Sequence, residues 1–160
     1  MNDFNNAISV MDSFSAKFEE TMNNLKKDLQ KQLETAFKLF FEKHPEVATI
    51  HWVQYTPYFN DGDECVFGVH ELYFTKTPWN ELENYWGEDD EGLISEKYWD
   101  NVTRKYVINP DLSSDLAEDM NKFAKVFGSL DDDIHRAAFG DHVWVMAHKD
   151  GFEVTNFHHD

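Results

Sequence analysis

Apolar side chains recur along residues 3–43 with the repeat of an α-helix, about every 3.6 residues. Asp3 is a residue type that begins helices, and His44 and Pro45 follow the last helical position, Lys43. The pattern predicts one long amphipathic helix with apolar positions at Phe4, Ile8, Met11, Phe14, Phe18, Met22, Leu25, Leu29, Leu33, Ala36 and Phe40. A repeat of 3.6 is that of a straight helix, whereas a long coiled coil has a repeat of 3.5.

The length of this helix raises the question of what covers it. A helix from residue 3 to residue 43 would be about 60 Å long, beyond the roughly 35–40 Å breadth of a globule of this size. Either the helix breaks near residues 12–15, where two serines lower helix propensity, or its first half packs against another chain. In the second case the first half would be an oligomerisation arm.

Residues 50–74 have the composition of a β-hairpin. Residues 50–56 are rich in aromatic and β-branched types, the chain turns through Pro57 and residues 60–63 (Asn-Asp-Gly-Asp), and residues 65–74 return as a second strand. Both faces of this strand pair are largely apolar, which predicts a position inside a sheet with cover on both sides. Trp52 and Phe67 are the expected core anchors.

The remaining segments complete an α+β pattern, and we expect a single domain over residues 1–160. It would comprise the long N-terminal helix (1–44) and an acidic α+β body (49–160). That body would contain a four-stranded antiparallel sheet of two hairpins and two or three further helices. Its other predicted elements are a short helix from Pro78 to Trp86, a strand at 106–108, a helix from Ser113 or Ser114 to Gly128, a helix from Asp131 to Gly140, and a hairpin of 142–148 and 152–157 turning at Lys149-Asp150-Gly151.

Composition sets the broad class of the protein. With 160 residues, 41% hydrophobic and 16% aromatic, the chain can build one substantial core. The lone Cys65, which we expect to be a buried thiol, excludes an intrachain disulfide and a multi-cysteine zinc site. No signal peptide and no apolar run of ~20 residues is present, which predicts a soluble intracellular protein.

The net charge of −17 is unevenly distributed. Residues 1–48 hold eight acids and six bases, a balance of −2, whereas residues 49–160 hold 23 acids and eight bases, a balance of −15. Residues 61–91 hold ten acids and one base, Lys76, a balance of −9. Such a field repels nucleic acid and anionic membranes and favours basic partners, although solubility alone would also account for an acidic protein.

Acidic and aromatic residues alternate between the first hairpin turn and Glu91. In the turn, Asn60 and Asp61 could bond local amides while Tyr58 and Phe59 cap the core; alternatively its acids bind a hard cation or a basic partner. An acidic tip, residues 88–91, lies between two glycines. The candidate binding surface is Tyr58, Asp61, Asp63, Glu64, Trp79, Glu88, Asp89, Asp90 and Glu91.

No motif of known catalytic chemistry is present. Phosphate-binding glycine loops, H-E-x-x-H and G-x-S-x-G are all missing, and we assign no catalytic residue, metal site or cofactor. Histidines 51, 70, 142 and 148 could converge with Asp61 or Glu71 on a transition metal, but eight histidines spread over several elements argue for scattered structural roles.

Two stretches carry a resemblance to a known group. The run QYTPYFNDGD followed by C-x-F, and the C-terminal FGDHVWVMAHKDGFEV with its acidic end, resemble small proteins of unassigned function from tailed phages and some bacteria. The likeness covers residues 50–74 and 139–160, and it supplies no activity or ligand to carry over. It implies an origin of the phage type.

Three hypotheses for function follow. The first is a non-enzymatic phage-type protein in the cytoplasm of a host cell. Its acidic surface would engage a basic protein and could inhibit a host nuclease or defence factor by imitating nucleic acid, with no direct contact to nucleic acid or membrane. The second is a small metal-dependent or nucleotide-processing enzyme using Tyr58, Asp61, Asp63 and His70. The third is a structural homo-oligomer built through the N-terminal helix.

Overall fold

The N-terminal helix is continuous. The computed structural model of the chain describes residues 3–59 and 61–158, and in it helix α1 runs unbroken through Asp3–Lys43. The first of the two alternatives, a break near residues 12–15, is therefore wrong. Burial begins only at Leu29, and the last turns of the helix bury Leu33, Phe37, Phe40 and Phe41.

The rest of the described chain is a sheet with further helices, as the α+β pattern predicts. The helices are α2 (Ser114–Ser129) and α3 (Asp132–Phe139). The strands are β1 (Thr49–Tyr55), β2 (Gly68–Val69), β3 (Tyr73–Thr75), β4 (Leu93–Ile94), β5 (Lys97–Asp100), β6 (Lys105–Ile108), β7 (Val143–His148) and β8 (Gly151–Asn156). Ser113 caps α2 by accepting from the Leu116 amide, and Asp131 caps α3 by accepting from the Asp133 amide.

Strand β1 lies at the centre of the main sheet. The order is β4-β3-β1-β7-β8, and β2 pairs with β1 beyond the end of β3. All pairings are antiparallel, and β1 and β7 join the two predicted hairpins, with Trp52 opposite Val145. The predicted four strands are thus six among the described residues, and β5 and β6 form a separate hairpin that contains the predicted strand at 106–108.

The three helices cover one face of the sheet. Trp52, fully buried, stacks on Phe37 of α1 with ring centroids 5.7 Å apart, and its edge contacts Phe127 of α2 and Phe139 at the end of α3. The Trp52 indole N–H donates to Gln54 Oε1, 3.0 Å away. Gln54 Nε2 donates in turn to the carbonyls of His135 and Gly140, so that this buried amide fastens α3 to the sheet.

The chain between β3 and β4 covers the opposite face. Tyr85 contacts the rings of Trp144 and Phe157 there, and His51 on the same face is fully buried. The predicted cover on both sides of the first hairpin is therefore present. Trp52 and Phe67 are both buried, as expected of core anchors, and the Arg136 guanidinium lies 4.6 Å from the Phe67 ring centroid.

Several local expectations were wrong. The return strand predicted at 65–74 is interrupted between β2 and β3. The register of β2 against β1 differs by one residue from that of β3 against β1, so the chain between β2 and β3 forms a bulge. The helix predicted at 78–86 is only a 3-10 turn at Trp79–Glu81. Tyr58 and Phe59 do not cap the core, since both are largely exposed, and Cys65 is half-buried rather than buried.

Asn60, which the turn prediction included, lies outside the described residues. Gly62, in the same turn, has the expected positive φ of 92°.

None of the helices in the described ranges carries an apolar stretch long enough to cross a bilayer.

Replacing Trp52 tests the sheet and its helical layer. Trp52→Ala removes a large ring from contact with three helices, so we expect the free energy of unfolding to fall by about 3–5 kcal/mol. The matched control is Trp99→Ala on the β5–β6 hairpin, where the ring is half exposed and the expected loss is about 1 kcal/mol or less. Urea unfolding measures both, and equal losses in the two variants would contradict this packing.

Candidate functional site

The acidic segment, defined here as residues 77–91, is held against the sheet by close backbone approaches. A Cβ added to Gly87 would lie 2.1 Å from the Tyr73 ring of β3, and one added to Gly92 would lie 2.9 Å from the Thr75 hydroxyl of β3 and 2.3 Å from the hydroxyl of Thr77. Both positions therefore exclude any larger residue without rearrangement. The two glycines that flank the acidic tip therefore allow its backbone to lie close to the sheet.

Asp90 fastens this segment to strand β3. Its carboxylate accepts hydrogen bonds from the hydroxyl of Thr75, from the hydroxyl of Thr77 at 2.7 Å and from the amide of Gly92 at 3.0 Å. Partial burial opposes ionisation, but these three donors together hold the pKa of Asp90 below its ordinary value. Asp90, which the sequence assigned to the candidate binding surface, therefore also holds the acidic segment to the sheet.

His51 lies beneath this segment and is neutral. Its Nδ1 accepts from the Trp144 indole N–H at 3.0 Å, so the imidazole proton is on Nε2, which has no hydrogen-bond partner among the described atoms. Burial lowers the pKa of His51 to about 4, even though the nearby Asp90 charge acts in the opposite direction. A fully buried imidazole of this kind supports the fold and is closed to solvent ligands.

Glu88 also takes part in holding the segment. Its carboxylate accepts from the Tyr73 hydroxyl, 2.9 Å away. Burial, followed by this hydrogen bond and the carboxylate charge, raises the pKa of Tyr73 to about 12. Two of the four acids in the tip, Glu88 and Asp90, therefore bond to strand β3. Glu88, Asp89 and Glu91 are exposed, and Asp90 is half-buried.

Five acids of the segment, Asp90 among them, line a cavity that we name the acidic pocket. It has a volume of about 390 Å³, and Trp86, with 56% of its side chain exposed, forms part of its wall. Five carboxylates line it: Glu81, Glu83, Asp89, Asp90 and Glu91. Carboxylates beside an accessible indole face are the groups that bind ammonium and guanidinium ions.

No cation of the described chain neutralises the four exposed carboxylates of the pocket. Among residues 3–59 and 61–158, the ion pairs involve other acids, and Glu81, Glu83, Asp89 and Glu91 form none of them. The one base between residues 61 and 91, Lys76, does not line the pocket. The negative potential of the pocket is thus open to an external cation.

The structure separates the other candidate residues from this pocket. Tyr58 stacks on His142 with centroids 4.9 Å apart, and Asp61, Asp63 and Glu64 are exposed in the first hairpin turn. Trp79 stacks on His148 at 5.5 Å and lines a different cavity, next to Pro78. Asp89, Asp90 and Glu91 are the members of the predicted binding surface that line the acidic pocket.

Sequence reasoning missed three pocket residues, namely Glu81, Glu83 and Trp86. The predicted helix from Pro78 to Trp86 would have distributed their side chains around its axis. Because the helical part is only the turn at Trp79–Glu81, these residues lie in irregular chain and meet at one cavity. The interleaving of acidic and aromatic residues in WNELENYWGEDDE was the available signal.

The histidines do not converge on a metal. His51 bonds Trp144, His70 stacks on Tyr55, His142 stacks on Tyr58, and His148 bonds Glu153 at 3.2 Å. In the described ranges, the group with metal-ligand spacing is instead His44, Asp115 and Asp119.

The ammonium of Lys43 contacts both carboxylates of that group. It lies 2.6 Å from Asp119 and 3.6 Å from Asp115, and His44 Nε2 is also 2.6 Å from Asp119. We therefore interpret this cluster as the connection between α1 and α2.

Comparisons of the chain with protein-family models, with curated proteins and with solved structures find no match. The resemblance to small phage proteins stays a prediction.

Replacing Asp90 tests its role in holding the acidic segment. Asp90→Asn loses the charge that receives three hydrogen bonds, so we expect a loss of about 1–3 kcal/mol in the free energy of unfolding at pH 7. Asp89→Asn, the matched control one residue away, should change it by about 0.5 kcal/mol or less because Asp89 is exposed. Chemical denaturation measures both.

The pH dependence supplies a second check. The folded pKa of Asp90 lies below the unfolded value of about 3.9, so the contribution of its charge is complete above that pH. It is lost as the pH falls through the folded pKa. The stability difference between the parent and Asp90→Asn should therefore be constant from pH 7 to about 5 and shrink below about 4. A difference that stays the same throughout acid titration would contradict this role.

Proposed function

We propose that the protein is a non-enzymatic binding module whose acidic pocket receives a lysine or arginine side chain of a basic protein partner. The observation that carries the proposal is the pocket itself, an open cavity lined by five carboxylates and by Trp86. Cations bind more favourably between carboxylates that have no internal counter-ion, because no existing ion pair has to be broken. Trp86 adds a π-face for the same cation.

The wider charge distribution supports the same partner class. The acidic segment, residues 77–91, holds six acids and no lysine or arginine, and this balance of −6 gives the pocket a negative field that accelerates encounter with basic surfaces and disfavours nucleic acid and anionic lipid. A basic surface in a cell is often a nucleic-acid groove. We therefore extend the proposal to inhibition of a host nuclease or defence factor, in the cytoplasm of a phage-infected cell, by occupation of that groove.

An enzyme built on the first hairpin turn has weaker support. Catalysis there would require a cavity that joins Tyr58, Asp61 and Asp63 with His70. The cleft that His70 lines, about 780 Å³ in volume, is formed with strands β3 and β4 and helix α2, and none of those three turn residues lines it. His70 instead stacks on Tyr55, with ring centroids 4.6 Å apart. The binding function accounts for more of the geometry.

Charge removal at the pocket tests the proposal. The pocket variant replaces Glu81, Glu83, Asp89 and Glu91 by their amides and retains Asp90, because Asp90 supports the fold. The matched control replaces four exposed acids outside the pocket, Glu96, Asp111, Glu118 and Asp150, by their amides, so that both proteins lose the same net charge. Calorimetric titration with a nona-arginine peptide measures the affinity of each.

The pocket variant should bind the peptide at least about tenfold more weakly than the parent, equivalent to about 1.4 kcal/mol, and the control should bind within about twofold to threefold of it. Parent affinity should also fall as salt rises from 0.1 to 1 M, since the Debye length shortens from ~10 to ~3 Å. If both variants lost the same amount of affinity for the peptide, the binding would depend on net charge alone, and that result would contradict a specific pocket. Basic proteins captured from a host lysate by the parent and the control, but not by the pocket variant, would be the natural partners.

A further inference from the structure

The first 26 described residues of helix α1 project away from the body, and we name residues 3–28 the arm. Every side chain of the arm is exposed. Seven large apolar side chains along one side are 47–68% exposed: Phe4, Ile8, Met11, Phe14, Phe18, Met22 and Leu25. Monomeric proteins rarely leave a continuous apolar stripe of this extent in water, and helices gain most of their stability from packing such a face.

The spacing within the arm differs from the average over the whole helix. From Phe4 to Leu29, alternating steps of four and three residues meet apolar side chains at every position but one: Phe4, Ile8, Met11, Ser15, Phe18, Met22, Leu25 and Leu29, with Phe14 beside the polar Ser15. This is the heptad repeat of a coiled-coil seam. The step from Leu29 to Leu33 is a second step of four residues, which ends the alternation. From Leu29 onward the helix packs against the body. The repeat of 3.6 is an average over the full helix, whereas the steps within the arm also fit the seam of a two-helix coiled coil.

The stripe continues into an apolar groove on the body. Ala36 lies 18 residues, about five helical turns, beyond Phe18 and hence on the same side of the helix. There Ala36 and Leu39 of α1 and Val126 of α2 line a groove of about 420 Å³. Leu39 and Val126 are 58% and 57% exposed. The arm and the groove therefore form one uncovered apolar surface.

Charge is polarised along the same helix. Residues 3–20 hold four acids and one base, a balance of −3, whereas residues 26–43 hold five bases and three acids, a balance of +2. Two antiparallel copies of this helix bring the acidic half of each beside the basic half of the other. A parallel pair would bring like charges together, and it would also place both bodies, each with a balance of −15 over residues 49–160, at the same end.

We propose that the uncovered surface is occupied by a second copy of this chain, in an antiparallel two-helix coiled coil of the arms. The register that aligns the charges sets Ile8 opposite the partner's Leu39 and Met11 opposite the partner's Ala36, so that the tip of each arm covers the groove of the other copy. Met22 then faces the partner's Leu25 near the two-fold axis. The inference is independent of the binding function, because no residue of the acidic pocket lies on the arm.

Charged substitutions in the seam test the association. Met11→Glu with Phe18→Glu should halve the mass measured by light scattering. The control, Ser13→Glu with Asn24→Glu, adds the same charge to the opposite side of the helix and should leave the parent mass unchanged. Near-ultraviolet circular dichroism of the aromatic core should be the same in all three proteins, so that a loss of mass cannot be attributed to unfolding of the body. A parent that is monomeric across a wide dilution series would overturn the proposal.

A distance measurement tests the orientation. Spin labels are attached at Ser13→Cys in a Cys65→Ser background. In the antiparallel register the two labelled positions are separated by 21 residues along the pair, about 32 Å, whereas a parallel pair places them at the same level on its two outer faces, with their Cα atoms about 15 Å apart. A short distance would overturn the antiparallel arrangement. A dimer that survives the seam substitutions would show that the copies associate through another surface, and would equally overturn the proposal.

Discussion

The burial of strand β1 on both faces is the constraint on which the rest of the structure depends. Ile50, Trp52 and Gln54 point toward the helices, while His51 points toward the acidic segment, and all four side chains are fully buried. A strand with two buried faces requires two covering layers. The helices supply one through Trp52 and its aromatic contacts. The other comes from irregular chain, which has no repeating backbone hydrogen bonds and must be fastened by side chains.

That requirement explains why acidic residues are found so close to a hydrophobic sheet. Asp90 accepts from Thr75 and Thr77, both on or next to strand β3, and thereby replaces the ladder hydrogen bonds that the covering segment lacks. The segment is fixed by its inward carboxylates and presents its outward ones, such as Asp89 and Glu91, to solvent. The pocket is thus a consequence of how the second face of β1 is covered, which couples the proposed binding surface to the stability of the sheet.

Local sequence signals were sufficient to predict the elements whose conformation depends mainly on neighbouring residues. Helix α1 followed from its repeat, and the β7–β8 hairpin followed from the turn signal Lys149-Asp150-Gly151, in which Gly151 has a positive φ of 140°. The acidic segment was not predictable in this way, because Asp89 and Asp90 are adjacent acids that only tertiary contacts distinguish. The interruption of the return strand near His70 likewise arises from a register shift against β1, which no local signal reports.

The distribution of charge relates the two proposed surfaces. The acidic pocket lies on the strongly acidic body, whereas the arm carries charges of both signs that nearly cancel along its length. Antiparallel pairing of the arms would therefore hold two acidic bodies together while keeping them at opposite ends, separated by more than a Debye length of ~10 Å at 0.1 M salt. Two pockets on one rigid pair would bind a partner with repeated basic sites more tightly than either pocket alone, because the second contact becomes intramolecular. A long nucleic-acid groove offers such repeated basic sites, so the arm and the pocket favour the same class of partner.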